Sequence, residues 1–154
     1  MIETFDFVNI QNQTWHFNTD TCPLTSFVVD GSTRMTDRPR MQQHGDWEGF
    51  NYLDHDLLHI EGDILRDTTE AYIADRLAIM DIICPPPGRQ NTRRWGKINL
   101  KYYGQEMMTA NCTGDSRPSM PLQGLYPTVG PFQISFKIFD PFWTGVISGN
   151  RYLI

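Results

Sequence analysis

A chain of 154 residues suffices for one domain that buries about two thirds of its unfolded surface, and falls short of two ordinary ones. With 40% hydrophobic, 12% aromatic and 20% charged residues, it reads as a globular chain rather than a disordered one. A formal charge of −5 excludes a surface built to grip DNA through clustered Lys and Arg, and no run approaches the ~18 apolar residues of a membrane-spanning helix.

The opening predicts a β-hairpin: Phe5, Phe7, Val8 and Ile10 lead to a polar turn at Gln11-Asn12-Gln13, and Trp15 and Phe17 then alternate with Thr14, His16 and Asn18. A third strand is expected from Leu24 to Val29, closed by the turn dipeptide Asp30-Gly31. From Ser32 to Phe50 the chain is polar and mixed in charge. An unstructured connection of this length is rare inside a compact domain, so the stretch is read as a projecting hairpin or arm.

Leu57 to Leu65 follows as a strand with Leu58, Ile60 and Ile64 on one face, His59, Glu61 and Asp63 on the other, and Gly62 as a bulge. One helix is predicted over 68–84, with Asp67 as N-cap and Glu70 completing a capping box. Its apolar stripe is read as Ile73, Leu77, Met80 and Cys84, broadened by Ala74, Ile79 and Ile83, and Pro85 to Pro87 end it. Arg89, Arg93 and Arg94 after the prolines are read as a solvated loop face.

Ile98, Leu100 and Tyr102 alternate in a further strand, Tyr103-Gly104 turns, and Met107 to Thr113 runs back. A Pro- and Gly-rich crossing over 115–131 is long enough to be a second contact loop. It leads to the clearest strand in the chain, where Phe132, Ile134, Phe136 and Ile138 alternate with Gln133, Ser135 and Lys137. That strand stops at Asp140-Pro141-Phe142-Trp143: Pro141 has no N–H to donate, and two large aromatics follow it. Residues 146–154 are left open between a final strand and a tail.

The candidate chemistry is sparse. His55 and His59 have the spacing of a zinc pair on a helix, but on a strand they lie about 13 Å apart. Asp54, Asp56, Glu61 and Asp63 are read as solvated residues along a strand face rather than an acid–base pair. No nucleophile elbow, phosphate loop or dinucleotide fingerprint is present. Trp47, Trp95, Trp143 and Tyr126 are read as core or interface anchors ahead of a sugar-stacking platform. Cys22, Cys84 and Cys112 form no CxxC pair and are read as free thiols in a reducing compartment. The N-terminal residues lack the pattern of a signal peptide, so the sequons at Asn12 and Asn111 are taken as chance matches. No catalysis, cofactor or metal is expected.

The opening hairpin, Gly45, the strand ending His59-Ile-Glu-Gly-Asp-Ile64, the helix Thr68 to Cys84 and above all Phe136-Lys-Ile-Phe-Asp-Pro-Phe-Trp143 resemble the N-terminal domain of the distal tail proteins of long, non-contractile-tailed bacteriophages. The resemblance implies a mainly β chain: a β-sandwich of the tail-tube type with one flanking helix and a projecting arm over about 32–50, in a single domain over 1–154. It departs from the family at Asp54-His55-Asp56, where members commonly carry an Arg. The carbohydrate-binding C-terminal domain that many members add is not read here.

By the same resemblance the chain is a structural virion protein at the tail tip, assembled in the host cytoplasm. It would form a homohexameric ring that joins the tail tube protein to the tail tip hub, with the tape measure protein as a further partner. DNA would pass through the ring without specific binding. The subunit interface is expected to use Arg34, Arg38, Arg40 and Trp47 of the arm and Tyr126 of the 115–131 loop, with the corner Asp140, Pro141, Phe142 and Trp143 anchoring the C-terminal segment. The alternatives are a tail tube protein of the same fold group, a small carbohydrate-binding module and a small hydrolase.

Overall fold

The computed structural model describes residues 1–35, 38–39, 46–47, 51–84, 95–114 and 117–154. Along the chain these form β1 (Ile2–Asn9), β2 (Thr14–Phe17), β3 (Leu24–Met35), β4 (Arg38–Pro39), β5 (Asp46–Trp47), β6 (Asn51–Leu65), α1 (Thr69–Ile83), β7 (Trp95–Tyr102), β8 (Met108–Gly114), β9 (Val129–Ile138), β10 (Phe142–Gly145) and β11 (Arg151–Leu153). Nine of the strands make one antiparallel sheet in the order β2-β1-β7-β8-β9-β6-β3, with β10 on β8 and β11 on β10.

The sheet turns over at β8–β9, a seam of only three residue pairs: Cys112 with Ile138, Thr113 with Lys137 and Gly114 with Phe136. Its two halves then face each other as a sandwich. Phe7 stacks on Phe136 at 5.2 Å, Phe5 meets Phe27 edge-on at 5.7 Å and Phe17 lies 5.5 Å from Phe132. Period-two alternation explains the layer: on β9, Phe132, Ile134, Phe136 and Ile138 are all buried, and on β6 Leu58, Ile60 and Ile64 meet them. The mainly β sandwich with one helix read from the sequence is the fold observed among the described residues.

The opening hairpin forms as predicted, with Phe5 opposite Phe17 and Phe7 opposite Trp15. Asn12 takes the left-handed conformation at φ 61°. Asn9 holds the turn by accepting from the N–H groups of Gln11 and Gln13 at 3.0 and 2.9 Å.

Three expectations are corrected. Asp30-Gly31 does not turn the chain: β3 continues through it to Met35, paired along β6. Long-range pairing outweighs the local turn signal, and a bulge between Gly31 and Thr33 absorbs the irregularity. The bulge expected at Gly62 lies instead on the partner strand, between Leu24 and Ser26. Gly62 is needed for close approach, since a Cβ there would sit 2.2 Å from the Pro23 carbonyl and 2.6 Å from the Phe132 ring.

The third correction concerns α1. Its N-cap is Thr68, whose hydroxyl accepts from the Ala71 N–H at 3.3 Å, one residue later than the expected Asp67. The buried face is Tyr72, Asp75, Ile79, Ile82 and Ile83, whereas Leu77 is exposed. The face is turned by one residue from the predicted stripe because a charged residue belongs to it. Asp75 accepts two bonds from Arg66, at 2.6 and 3.1 Å, so a paired carboxylate sits where hydropathy alone would place none. The helix packs on the ends of β1, β2 and β6, and Asn9 donates to the Ile82 carbonyl at 3.4 Å.

Candidate functional site

With little candidate chemistry in the chain, its surfaces carry the candidate site. At the corner after β9, Asp140 accepts from the Phe142 N–H at 3.1 Å, the turn that an Asp before Pro favours. Its other oxygen pairs with Arg151, whose guanidinium lies 4.9 Å over the Phe142 ring. Pro141 and Trp143 are buried in this subunit, while Phe142 is half-buried and Asp140 exposed. The last residues are a strand and not a tail: β11 pairs with β10, Trp143 opposite Tyr152.

Glu106, in the turn between β7 and β8, holds this C-terminal hairpin. Its carboxylate accepts from the Ser148 hydroxyl, from the N–H groups of Ser148 at 2.9 Å and Ile147 at 3.1 Å, and from the Tyr152 hydroxyl at 2.8 Å. These bonds, the Ser148 hydroxyl foremost, pull its pKa down to about 2. Gly145 makes room for it, because a Cβ there would lie 2.4 Å from Oε1. Sequence reading missed Glu106, since its partners lie 41 to 46 residues away and no local motif marks it.

The loop between β8 and β9 is tied at its base. Ser119 and Gln133 exchange two backbone bonds of 2.9 Å. Met120 is buried, and its carbonyl accepts from Arg76 at 3.0 and 3.3 Å. Beyond that base Leu122, Leu125 and Tyr126 stand 51%, 89% and 84% exposed. At the opposite end of β9 a groove of about 390 Å³ lies among Val8, Ile10, Gly96, Lys97, Asn111 and Phe139.

In the arm stretch the described backbone is paired strand. β3 and β6 stay in register to Met35 opposite Asn51, and Arg38 pairs with Trp47 in the β4–β5 ladder. Arg34 thus lies on β3, opposite Tyr52. Arg40 and the Arg89, Arg93 and Arg94 cluster lie outside the described residues.

The other candidates separate. Asp56 is not on the wet face of β6: it has the parity of Leu58 and is buried beside Gly31, and burial raises its pKa while His55 draws it partly back. Glu61 remains outside, accepting from Gln133 at 2.8 Å. His59 bonds Ser135 at 2.8 Å across to β9. Among the described residues no three of His, Cys, Asp or Glu cluster as a metal site. Trp143 has no face free to stack on a sugar, leaving Tyr126 as the exposed aromatic of that set among the side chains described. Burial pushes the Cys22 thiol up to about 11 and the Cys112 thiol further.

No protein-family model and no curated protein matches the sequence. Among solved structures, the fold is similar to that of the Dit protein of phage SPP1, a paradigm of the hub adsorption apparatus in phages infecting Gram-positive bacteria, with a TM-score of 0.58 at 15% identity. The likeness takes in 92% of this chain and 52% of that one, so the chain spans about half the length of this neighbour and shares the architecture of that part.

Proposed function

We propose that this chain is a structural protein of a bacteriophage tail, copies of which close into a homohexameric ring at the distal end, connecting the tail tube to the tip hub. The observation that carries the reading is the likeness of nearly the whole chain, folded-over sheet and helix together, to the phage hub protein. Its work is done by surfaces, without catalysis. The tube protein, the tip hub protein and the tape measure protein are its partners, and a chain of net charge −5 suits a conduit through which DNA slides without adhering. The ring contact is heterologous and draws on the arm, with Arg34, Arg38, Arg40 and Trp47, and on the loop that carries Tyr126. The corner at Asp140 to Trp143 fixes the C-terminal hairpin beside it.

Native mass and negative-stain imaging of the purified chain test this. A closed six-fold ring is expected; long tubes would assign the chain to the tube protein of the same fold group. Deleting Thr36 to Trp47 is expected to give a folded monomer, and rings that persist without the arm would remove it from the interface.

A further inference from the structure

We propose that the apolar crown of the β8–β9 loop, formed by Leu122, Leu125 and Tyr126, seats in the groove at the far end of β9 on a second copy of the chain. This deepens the assembly reading above and rests on it. The crown is exposed by construction and not by fraying: the buried Met120, the Arg76 bonds to its carbonyl and the Ser119–Gln133 bridge fix the loop where it leaves the core. A loop held in this way loses little freedom on docking. Contiguous large apolar groups left in water mark an interaction surface, and residues 118–128 carry no charge to desolvate.

The groove supplies apolar surface to match. Val8, Ile10 and Phe139 give it apolar walls, and Gly96 stays bare because a Cβ there would lie 2.4 Å from the Val8 carbonyl and 2.8 Å from the Phe7 ring. The loop enters β9 at Val129 and Phe139 follows its last residue, so crown and groove stand about 30 Å apart along the strand. One chain cannot fill its own groove with its own crown. A patch and a pocket at opposite ends of one molecule make a head-to-tail contact, the type that closes rings.

Charge agrees with this pairing. The Arg66 backbone N–H donates to the Thr128 carbonyl at 3.0 Å, which places the exposed Asp67 at the base of the loop, with exposed Asp20 beside Val129 in the same concavity; Arg66 also lines it, its charge paired with Asp75. The groove end carries the exposed Lys97. Both halves of the contact are on this chain, which is why the occupant is a second copy rather than another tail protein.

The test joins the two ends covalently in the full chain. With Cys84→Ser as background, Leu125→Cys and Ile10→Cys in one chain are expected to yield a ladder of multimers on oxidation, whereas mixing the two single variants stops at dimers. Leu125→Asp with Tyr126→Asp, both outside the core, is expected to keep the circular dichroism spectrum and weaken self-association at least tenfold by native mass. If the unmodified chain assembles but neither variant behaves so, the crown-in-groove contact is overturned and the ring reading stands. Dimers from Leu125→Cys alone would mean a symmetric contact and overturn it equally. If the unmodified chain stays monomeric at every concentration and the double variant gives no ladder, the assembly reading falls and takes this contact with it.

Discussion

Glu106 accepts four hydrogen bonds from Ile147, Ser148 and Tyr152, so its ionised form is built into the hairpin. Its folded pKa, about 2, lies below the ordinary glutamate value of 4.5. The stabilisation is therefore fully present above about pH 4.5 and is lost as pH falls toward 2. Protection of the Ile147 and Ser148 amides, their exchange rate relative to the intrinsic rate at each pH, is expected to weaken over that window in the native chain. In Glu106→Gln that protection should already be weak at pH 7 and unchanged across the window. Gly130 sets a second constraint at this scale: a Cβ would sit 2.1 Å from the Tyr72 hydroxyl. Gly130→Ala is expected to destabilise by about 1–3 kcal/mol. Tyr72→Phe should recover part of that loss, with the coupling read from a double-mutant cycle in urea. The corner was legible because Asp140 and Pro141 act on their immediate neighbours; Glu106 and Gly130 were not, because their partners are distant in the chain.

The elements were legible where alternation is strict. β2 and β8 lie within a residue of where period-two reading put them, and β1, β7 and β9 end within a residue of it but each begin three residues earlier, at Ile2, Trp95 and Val129. Legibility failed where a local signal met a tertiary one. Asp30-Gly31 is a turn pair overridden by the length of β6, and the α1 face was misplaced because Asp75 belongs to it through Arg66. The cap gives a direct check on the helix start. Thr68→Ala is expected to cost about 1 kcal/mol, while Asp67→Ala should change stability by only a few tenths, as measured by urea denaturation.

For the molecule as a whole, the narrow β8–β9 seam raises the question of whether the two layers open together. Cys22 lies in the core near β2 and Cys112 lies in the seam itself, and both are about 1% exposed. Neither thiol is expected to react with a disulfide reagent in the closed state at neutral pH, whereas the half-buried Cys84 should react first. Equal labelling rates for Cys22 and Cys112, followed by mass spectrometry of digested protein, are expected if the sandwich opens as one unit. Faster labelling of Cys112 would identify the seam as a separate point of opening.

The pairing of β1 with β7, Phe5 opposite Leu100, also dictates a schedule. The β1–β2 hairpin is made from neighbouring residues, but its other flank stays bare until β7 leaves the ribosome, on the order of ten seconds later at ~5–20 residues per second. An open strand flank rich in Phe invites pairing between chains, all the more where many copies are synthesised side by side. Glu3 and Asp6 place two negative charges on that waiting strand, and Asp6 ends buried beside His16 at 2.8 Å. In the finished sheet these charges neighbour Lys101 and His16; during the wait they repel the same strand of the next nascent chain.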